Sequence, residues 1–242
     1  GVFGVPLEDV QVESGDSRLS PYGGGSWGSR GAVLGGETAL RAARTLRGNV
    51  LDLASALLQC DAGTLDIRDR DIVDAASGLV RMSLAELAAT GHFKPFAFPK
   101  DLQPALAVIE HYASQDRLFV VGNGVQASYL EVDPETGFVE LLGHWVVHDA
   151  GRLLNPLLVK EQVRGGVVQG LGGVLFEECI YSADGQLQNG TFADYLVPMA
   201  SEMPDIEVDH IVTATKSSEL GTKGAGEVGT AGAMGAVLNA IN

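Results

Sequence analysis

Cysteine is scarce: 242 residues contain only Cys60 and Cys179. Both lie in apolar surroundings (LLQCDAG and FEECIY) without a CxxC spacing. Neither a disulfide framework nor a zinc site is therefore supported, and a reducing, cytoplasmic compartment fits this usage. Long hydrophobic runs are missing as well. Stretches such as Leu118 to Val121 and Val174 to Phe176 fall far short of the roughly 20 apolar residues that span a bilayer. Positive charge is in deficit, with 16 basic residues against 31 acidic ones and a formal charge of −15. That balance repels phosphate backbones and anionic membrane surfaces and argues against a nucleic-acid partner. His92, His111, His144, His148 and His210 are scattered without metal-ligand spacing. They are read as structural, with His148 the one most apt to touch a ligand because it adjoins a glycine-rich motif.

What the chain has in plenty is glycine, 32 residues, or about 13% where roughly 7% is usual. No repeating period or proline enrichment points to collagen or disorder, so the glycines mark close backbone approaches. With 45% hydrophobic and 19% charged residues, the chain buries a real core as one large domain or two small ones. It opens on Gly1 rather than methionine and closes on a still-apolar segment. Both ends are therefore read as boundaries within a longer protein.

Along the chain, VQVES at 10–14 alternates like a strand and 15–30 forms a glycine-rich loop. Val33, Leu40, Ala43, Leu46, Val50, Ala54 and Leu57 recur at helical spacing and predict one long amphipathic helix. Hairpin-like strands follow over 64–82. SLAELAAT at 83–90 carries the Ser and Glu of a capping box. Residues 91–106 read as irregular, with a break between two subdomains near 91–116. Two β-rich runs, Phe119–Val132 and Phe138–Val147, joined by the turn DPETG, predict an antiparallel hairpin. A helix is expected over about 157–174, with Gly165, Gly166, Gly170 and Gly173 on a small face open to a backbone or a flat ligand. Strands are expected near 175–181 and 206–213 around an SADG turn, and a helix over 227–242.

Three glycine-rich stretches join loops to helix starts: GGGSWGSR at 23–30, HDAGRLLNP leading into EQVRGGVVQGLGG, and ELGTKGAGEVGTAG at 219–232. Unpaired backbone N–H groups and the helix dipole favour an anion there, so a phosphorylated cofactor held by several loops is one reading and ordinary turns are the other. Gly224, Gly226 and Gly229 fit G-x-G-x-x-G. A dinucleotide fold nevertheless fails, because no strand leads directly into the glycines and the acidic residue roughly 20 positions on would fall past Asn242. No Walker A pattern is present. Glu227, between glycines at a helix start, is either a first-turn helix acid or a functional carboxylate.

In this order, GGGSWGSR, HDAGRLLNPLLVKEQVRGGVVQGLGGVLFEE, ADYLVPMASEMPDIEV and KGAGEVG resemble the large, molybdopterin-binding subunit of the xanthine dehydrogenase family of molybdenum hydroxylases, especially its carbon monoxide dehydrogenase-like and aldehyde oxidase-like branches. The resemblance covers nearly the whole chain. It implies an α+β fold in which mixed helices and antiparallel strands form two subdomains of a molybdenum cofactor-binding domain, 1–106 and 107–242. It implies Glu227 as the catalytic base, which in the family takes the proton of a metal-bound hydroxide that attacks an electron-poor carbon of an aldehyde or heterocycle, or oxidises carbon monoxide. Trp27, Gly28, Ser29 and Arg30 match a loop holding the pterin dinucleotide. Asp149, Ala150, Gly151, Asn155 and Gln162 match a second cofactor segment, and Lys223, Gly224, Ala225 and Gly226 a third near the metal. Trp27 replaces a tyrosine or small residue, and Ala150 replaces a common cysteine.

The implied cofactor is molybdenum-molybdopterin cytosine dinucleotide, without protein ligands to the metal. The implied partners are an iron–sulfur subunit, an FAD subunit, the rest of the large subunit and a small-molecule substrate, in an oligomeric assembly. The family's Gly-Gly-Phe-Gly loop, its oxo-binding glutamine and its substrate loop do not occur in this chain, so this part is expected to be inactive alone. A cofactor-free scaffold of the same fold is the alternative from another class, and a nucleotide-binding transferase is a further one.

Overall fold

The computed structural model describes residues 1–18, 20, 23–114 and 119–242. Leu19, Pro21 and Tyr22 of the expected glycine-rich loop, Gln115 and Asp116 of the expected break, and Leu118 of an apolar run lie outside them. The chain divides into two compact units, one formed by 1–24 with 36–113, the other by 25–35 with 114–242. Residues 25–35, which a division at 106 groups with the first part, belong to the second unit.

The first unit packs α1 (Gly36–Leu58) and α2 (Leu84–Phe93) with the antiparallel sheet β1 (Leu65–Arg68), β2 (Asp71–Asp74) and β3 (Val80–Ser83). The apolar stripe read from the sequence supplies Val50 and Ala54 to its core. They are buried with Leu53, Leu65, Ile67, Ile72, Leu87 and Phe98, while Leu46 and Leu57 pack at the margin. The capping box forms as expected: Ser83 Oγ accepts the Glu86 N–H at 3.1 Å, and the Glu86 carboxylate accepts the Ser83 N–H at 3.0 Å. VQVES does not form a strand. Residues 10–14 are exposed coil, because alternation makes a strand only where a neighbouring strand accepts its hydrogen bonds.

The second unit is a three-stranded sheet covered on one face by two helices. The predicted hairpin is β4 (Asn123–Val132) against β5 (Val139–Asp149), antiparallel, with β6 (Ile206–His210) added parallel to β5. The predicted helices are α3 (Pro156–Leu175) and α4 (Val228–Ile241). The core between the layers holds Val146, Val163, Val167, Leu171, Ile206, Ala233 and Val237. No strand forms over 175–181, where only Tyr181 makes an isolated bridge, to Leu187 across the SADG turn.

The small face of α3 takes a backbone, that of α4. A Cβ at Gly229 would lie 2.7 Å from the Val167 nitrogen, and one at Gly170 would lie 2.9 Å from both the Thr230 oxygen and Ala233 Cβ. Thr230 Oγ1 donates to the Gly166 carbonyl at 2.9 Å across the same contact. Contacts this tight forbid side chains, and forcing one in costs about 1–3 kcal/mol. Gly229→Ala is therefore expected to destabilise the second unit by that amount, read as a lower urea midpoint at unchanged slope. Gly165→Ala, at a position open to solvent, is expected to be neutral or stabilising in the same titration.

Candidate functional site

The three glycine-rich stretches meet within the second unit. In the first, Gly28 and Ser29 both adopt positive φ, +59° and +56°. That conformation is uncommon for serine and turns the chain sharply. A Cβ at Gly28 would come within 2.8 Å of the Phe119 ring, and one at Gly224, in the third stretch, within 2.6 Å of Ser29 Cβ. Glycine at both positions lets these segments touch. Ser29 Oγ then accepts the N–H of Glu227 at 3.1 Å. Arg30 lies 4.6 Å over the Trp27 ring and donates to the Gly25 carbonyl at 2.6 and 3.1 Å. Trp27 meets Phe119 edge-on at 5.3 Å.

The second and third stretches are laced together by backbone. Gly151, at φ +64°, bridges Thr222; Lys223 N–H donates to the Ala150 carbonyl at 2.8 Å, and Gly224 N–H to Val120 at 2.7 Å. Beneath this lacing lies a largely buried ion pair, Lys223 Nζ to Asp149 at 2.8 Å. Asp149 also accepts the N–H of Gly151 at 2.8 Å, the N–H of Thr213 at 3.3 Å and the Thr213 hydroxyl. Burial pushes this carboxyl up, but the Lys223 ammonium, the Thr213 hydroxyl and the two N–H groups outweigh it and hold it well below the usual carboxylate range. Asp149 and Lys223, both matched to cofactor contacts by the sequence, spend their charges on each other.

The start of α3 closes the arrangement. Asn155 is its N-cap, accepting the Leu158 N–H at 3.2 Å, and Pro156 takes the first helical position. Gln162, two turns on, donates to the Gly226 carbonyl at 3.1 Å. Between the stretches opens a cleft of about 320 Å³. Ser29 lines it from the first stretch, Ala150, Asn155 and Gln162 from the second, and Lys223, Ala225 and Gly226 from the third. Trp27, Gly28, Arg30, Asp149, Gly151 and Gly224 do not line it. They shape the loops that do.

Arg152 and Thr222 also line the cleft and were not singled out from the sequence. Arg152 is exposed in the cleft, and among the described residues its guanidinium pairs with no carboxylate. Thr222 is 3% exposed, and among the described residues its hydroxyl has no hydrogen-bond partner. Arg152 was visible as part of HDAGRLLNP; nothing local marks Thr222. Glu227 directly follows the lining residues Ala225 and Gly226. It sits before the first turn of α4, exposed, and its side chain does not cap the helix. Glu227 itself does not line the cleft; it is the N-cap residue of α4, next in sequence to the lining residue Gly226.

The chain matches the family model described as molybdopterin cofactor-binding domain over residues 1–204. It is 35% identical to the nicotine 6-hydroxylase large subunit of Paenarthrobacter nicotinovorans, over its full length and 29% of that protein. It is 29% identical to the carbon monoxide dehydrogenase large chain of Hydrogenophaga pseudoflava, over 93% of this chain and 27% of that one. In structure it superposes on quinoline 2-oxidoreductase from Pseudomonas putida 86 with a TM-score of 0.87 and 34% identity, over all of this chain and 30% of that one. The chain belongs to the molybdopterin cofactor-binding domain family, and it spans about 30% of the length of these relatives. KGAGE at 223–227 lies beyond the segment matched by the family model but within the span shared with the full-length matches.

The Asp149 ion pair makes a prediction about acid. A carboxyl held below its unfolded value contributes stability that is complete above the ordinary aspartate range and is lost as pH falls through its folded value. Asp149→Asn is therefore expected to be less stable than the parent near neutrality, with the difference shrinking as pH drops below about 4. Urea titrations of both proteins across that range check it.

Proposed function

We propose that this chain is part of the molybdopterin-binding large subunit of an oxidoreductase that hydroxylates an electron-poor carbon with water as oxygen source. The observation that carries the reading is the cleft itself: three loop-to-helix junctions converge on it, with Arg152 uncompensated among the described residues and Glu227 next in sequence to the lining residues Ala225 and Gly226. The residues fit a phosphorylated organic cofactor. Arg152 supplies a cation, and the Thr222 hydroxyl is a buried polar group lacking a partner among the described residues. A volume of about 320 Å³ is near the lower end for a small-molecule pocket, so this chain holds part of a dinucleotide-sized group. When bound, molybdenum-molybdopterin cytosine dinucleotide supplies the two-electron oxidation and activates the oxygen that is transferred.

The chain's own residues then divide the work. Arg152, Gln162 and the backbone at Ala225 and Gly226 bind and orient the cofactor, and Asn155 and the Asp149–Lys223 pair fix the loops that carry them. Glu227 takes up a proton at its carboxylate as the transferred oxygen becomes nucleophilic, a role typically contributing about 10²–10⁴-fold in rate. Iron–sulfur and FAD subunits, in a cytoplasmic assembly, carry the electrons away. Among the described residues no helix is long and apolar enough to cross a membrane. Side chains such as Phe96 and Phe192, 84% and 89% exposed, are suited to burial against the rest of the subunit.

The test uses the full-length subunit made with its partners and maturation factors. Elemental analysis is expected to find stoichiometric molybdenum, and acid hydrolysis to release stoichiometric cytidine monophosphate. Arg152→Ala lowers both contents. Glu227→Gln keeps both and loses at least about 100-fold in kcat. A parent protein with neither molybdenum nor nucleotide makes the chain a scaffold; a Glu227→Gln enzyme with normal content and normal rate removes the base.

A further inference from the structure

Behind α4 lies a polar chain that the cleft does not use. His144, on β5, is fully buried; its Nδ1 is 2.9 Å from Ser128 Oγ and its Nε2 is 3.0 Å from Gln126 Oε1. Ser128 and Gln126 are two residues apart on β4 and so share one face of the sheet. From Gln126 the chain crosses to the helix, where Nε2 donates to the carbonyls of Val228 and Gly229, both at 2.9 Å. A Cβ at Gly232 would lie 2.8 Å from this amide, so glycine there is what admits the side chain.

Only one direction of donation satisfies the set. Carbonyls accept, so the Gln126 amide nitrogen must face them and its oxygen must accept from His144. His144 therefore carries its proton on Nε2, and its Nδ1 accepts from the Ser128 hydroxyl. Every polar group in the series is paired, and a fully satisfied network of this kind specifies one geometry where an apolar contact permits several.

We propose that Gln126, held in place by His144 and Ser128, is a positioning residue for Glu227. Val228 and Gly229 are the two residues immediately after it, and their carbonyls are gripped from the sheet side. Ser29 holds the Glu227 N–H and Gln162 holds the Gly226 carbonyl. Three side chains from separate elements thus fix the backbone on either side of one carboxylate. A one-residue slip of a helix turns it by about 100° and moves it about 1.5 Å, and misplacement by about 1 Å costs on the order of 100-fold in rate. Gln126 touches neither the cleft nor the Glu227 side chain, so its effect passes through the helix start. The proposal rests on the reading of Glu227 as a base.

The experiment compares full-length holoenzymes carrying Gln126→Leu, Ser128→Ala and Glu227→Gln. Gln126→Leu is expected to retain molybdenum and to keep KM within about 2-fold while kcat falls at least about 10-fold. Ser128→Ala, at the far end of the series, loses less kcat, again at constant KM. If Gln126→Leu fails to accumulate as folded holoenzyme, Ser128→Ala decides, and an unchanged kcat there overturns the proposal. The proposal is equally overturned if Gln126→Leu keeps full kcat while Glu227→Gln is inactive, an outcome that leaves the base intact, or if molybdenum content and KM deteriorate together with kcat. Normal turnover in Glu227→Gln instead removes the reading on which the proposal stands.

Discussion

The backbone contact between α3 and α4 sets where the helices of the second unit stand and where α4 begins. Gly166, Gly170 and Gly229 leave no room for side chains, so the two helices meet with their main chains touching. α4 therefore starts where α3 allows it to, and Glu227 is the residue just before that start. Helices held apart by ordinary side chains are separated by 8–10 Å between axes and slide with modest repacking. A glycine contact is less forgiving, because each neighbour is backbone and cannot move aside. The Gln126 series grips the same helix from the sheet, so the packing constraint and the polar one act on the same turn.

A second constraint keeps the loops in register with the helices. The Asp149–Lys223 pair joins the end of β5 to the KGAGE segment, and the backbone bonds of Ala150 and Gly151 to Lys223 and Thr222 run alongside it. Removing one partner of such a largely buried, hydrogen-bonded pair strands the other's charge. With these two charges neutralised internally, Arg152 is left as the cation that faces the cleft. Charges that fix the loops are thereby separated from the charge available to a ligand.

Much of this was legible because the signals are local. α1 followed from apolar spacing, the hairpin from two β-rich runs around DPETG, and the α2 start from Ser83 and Glu86. The strands expected at 10–14 and 175–181 failed for the opposite reason: a strand exists only with a partner, and alternation does not say whether one is near. The three glycine-rich stretches were readable as loops at helix starts, and their motif order pointed to the family. Their convergence on one cleft was not readable, since it depends on which backbones approach at Gly224, Gly229 and Gly170. Asp149 and Lys223 show the limit most clearly: motif membership marked them, but only geometry shows that they bind each other. Thr222, Gln126 and His144 carry no local signal at all, because what distinguishes them is a missing or a found partner on another element.

The central claim is that the cleft between these stretches holds the pterin cofactor with its metal beside Glu227. Crystallographic anomalous scattering at the molybdenum edge, recorded on the full-length holoenzyme, tests it most directly. The account predicts one strong anomalous peak at the 225–226 end of the cleft, on the side of Glu227, with density for a phosphate near Arg152. A peak lying elsewhere in the subunit, with the cleft filled by another segment of polypeptide, would contradict it.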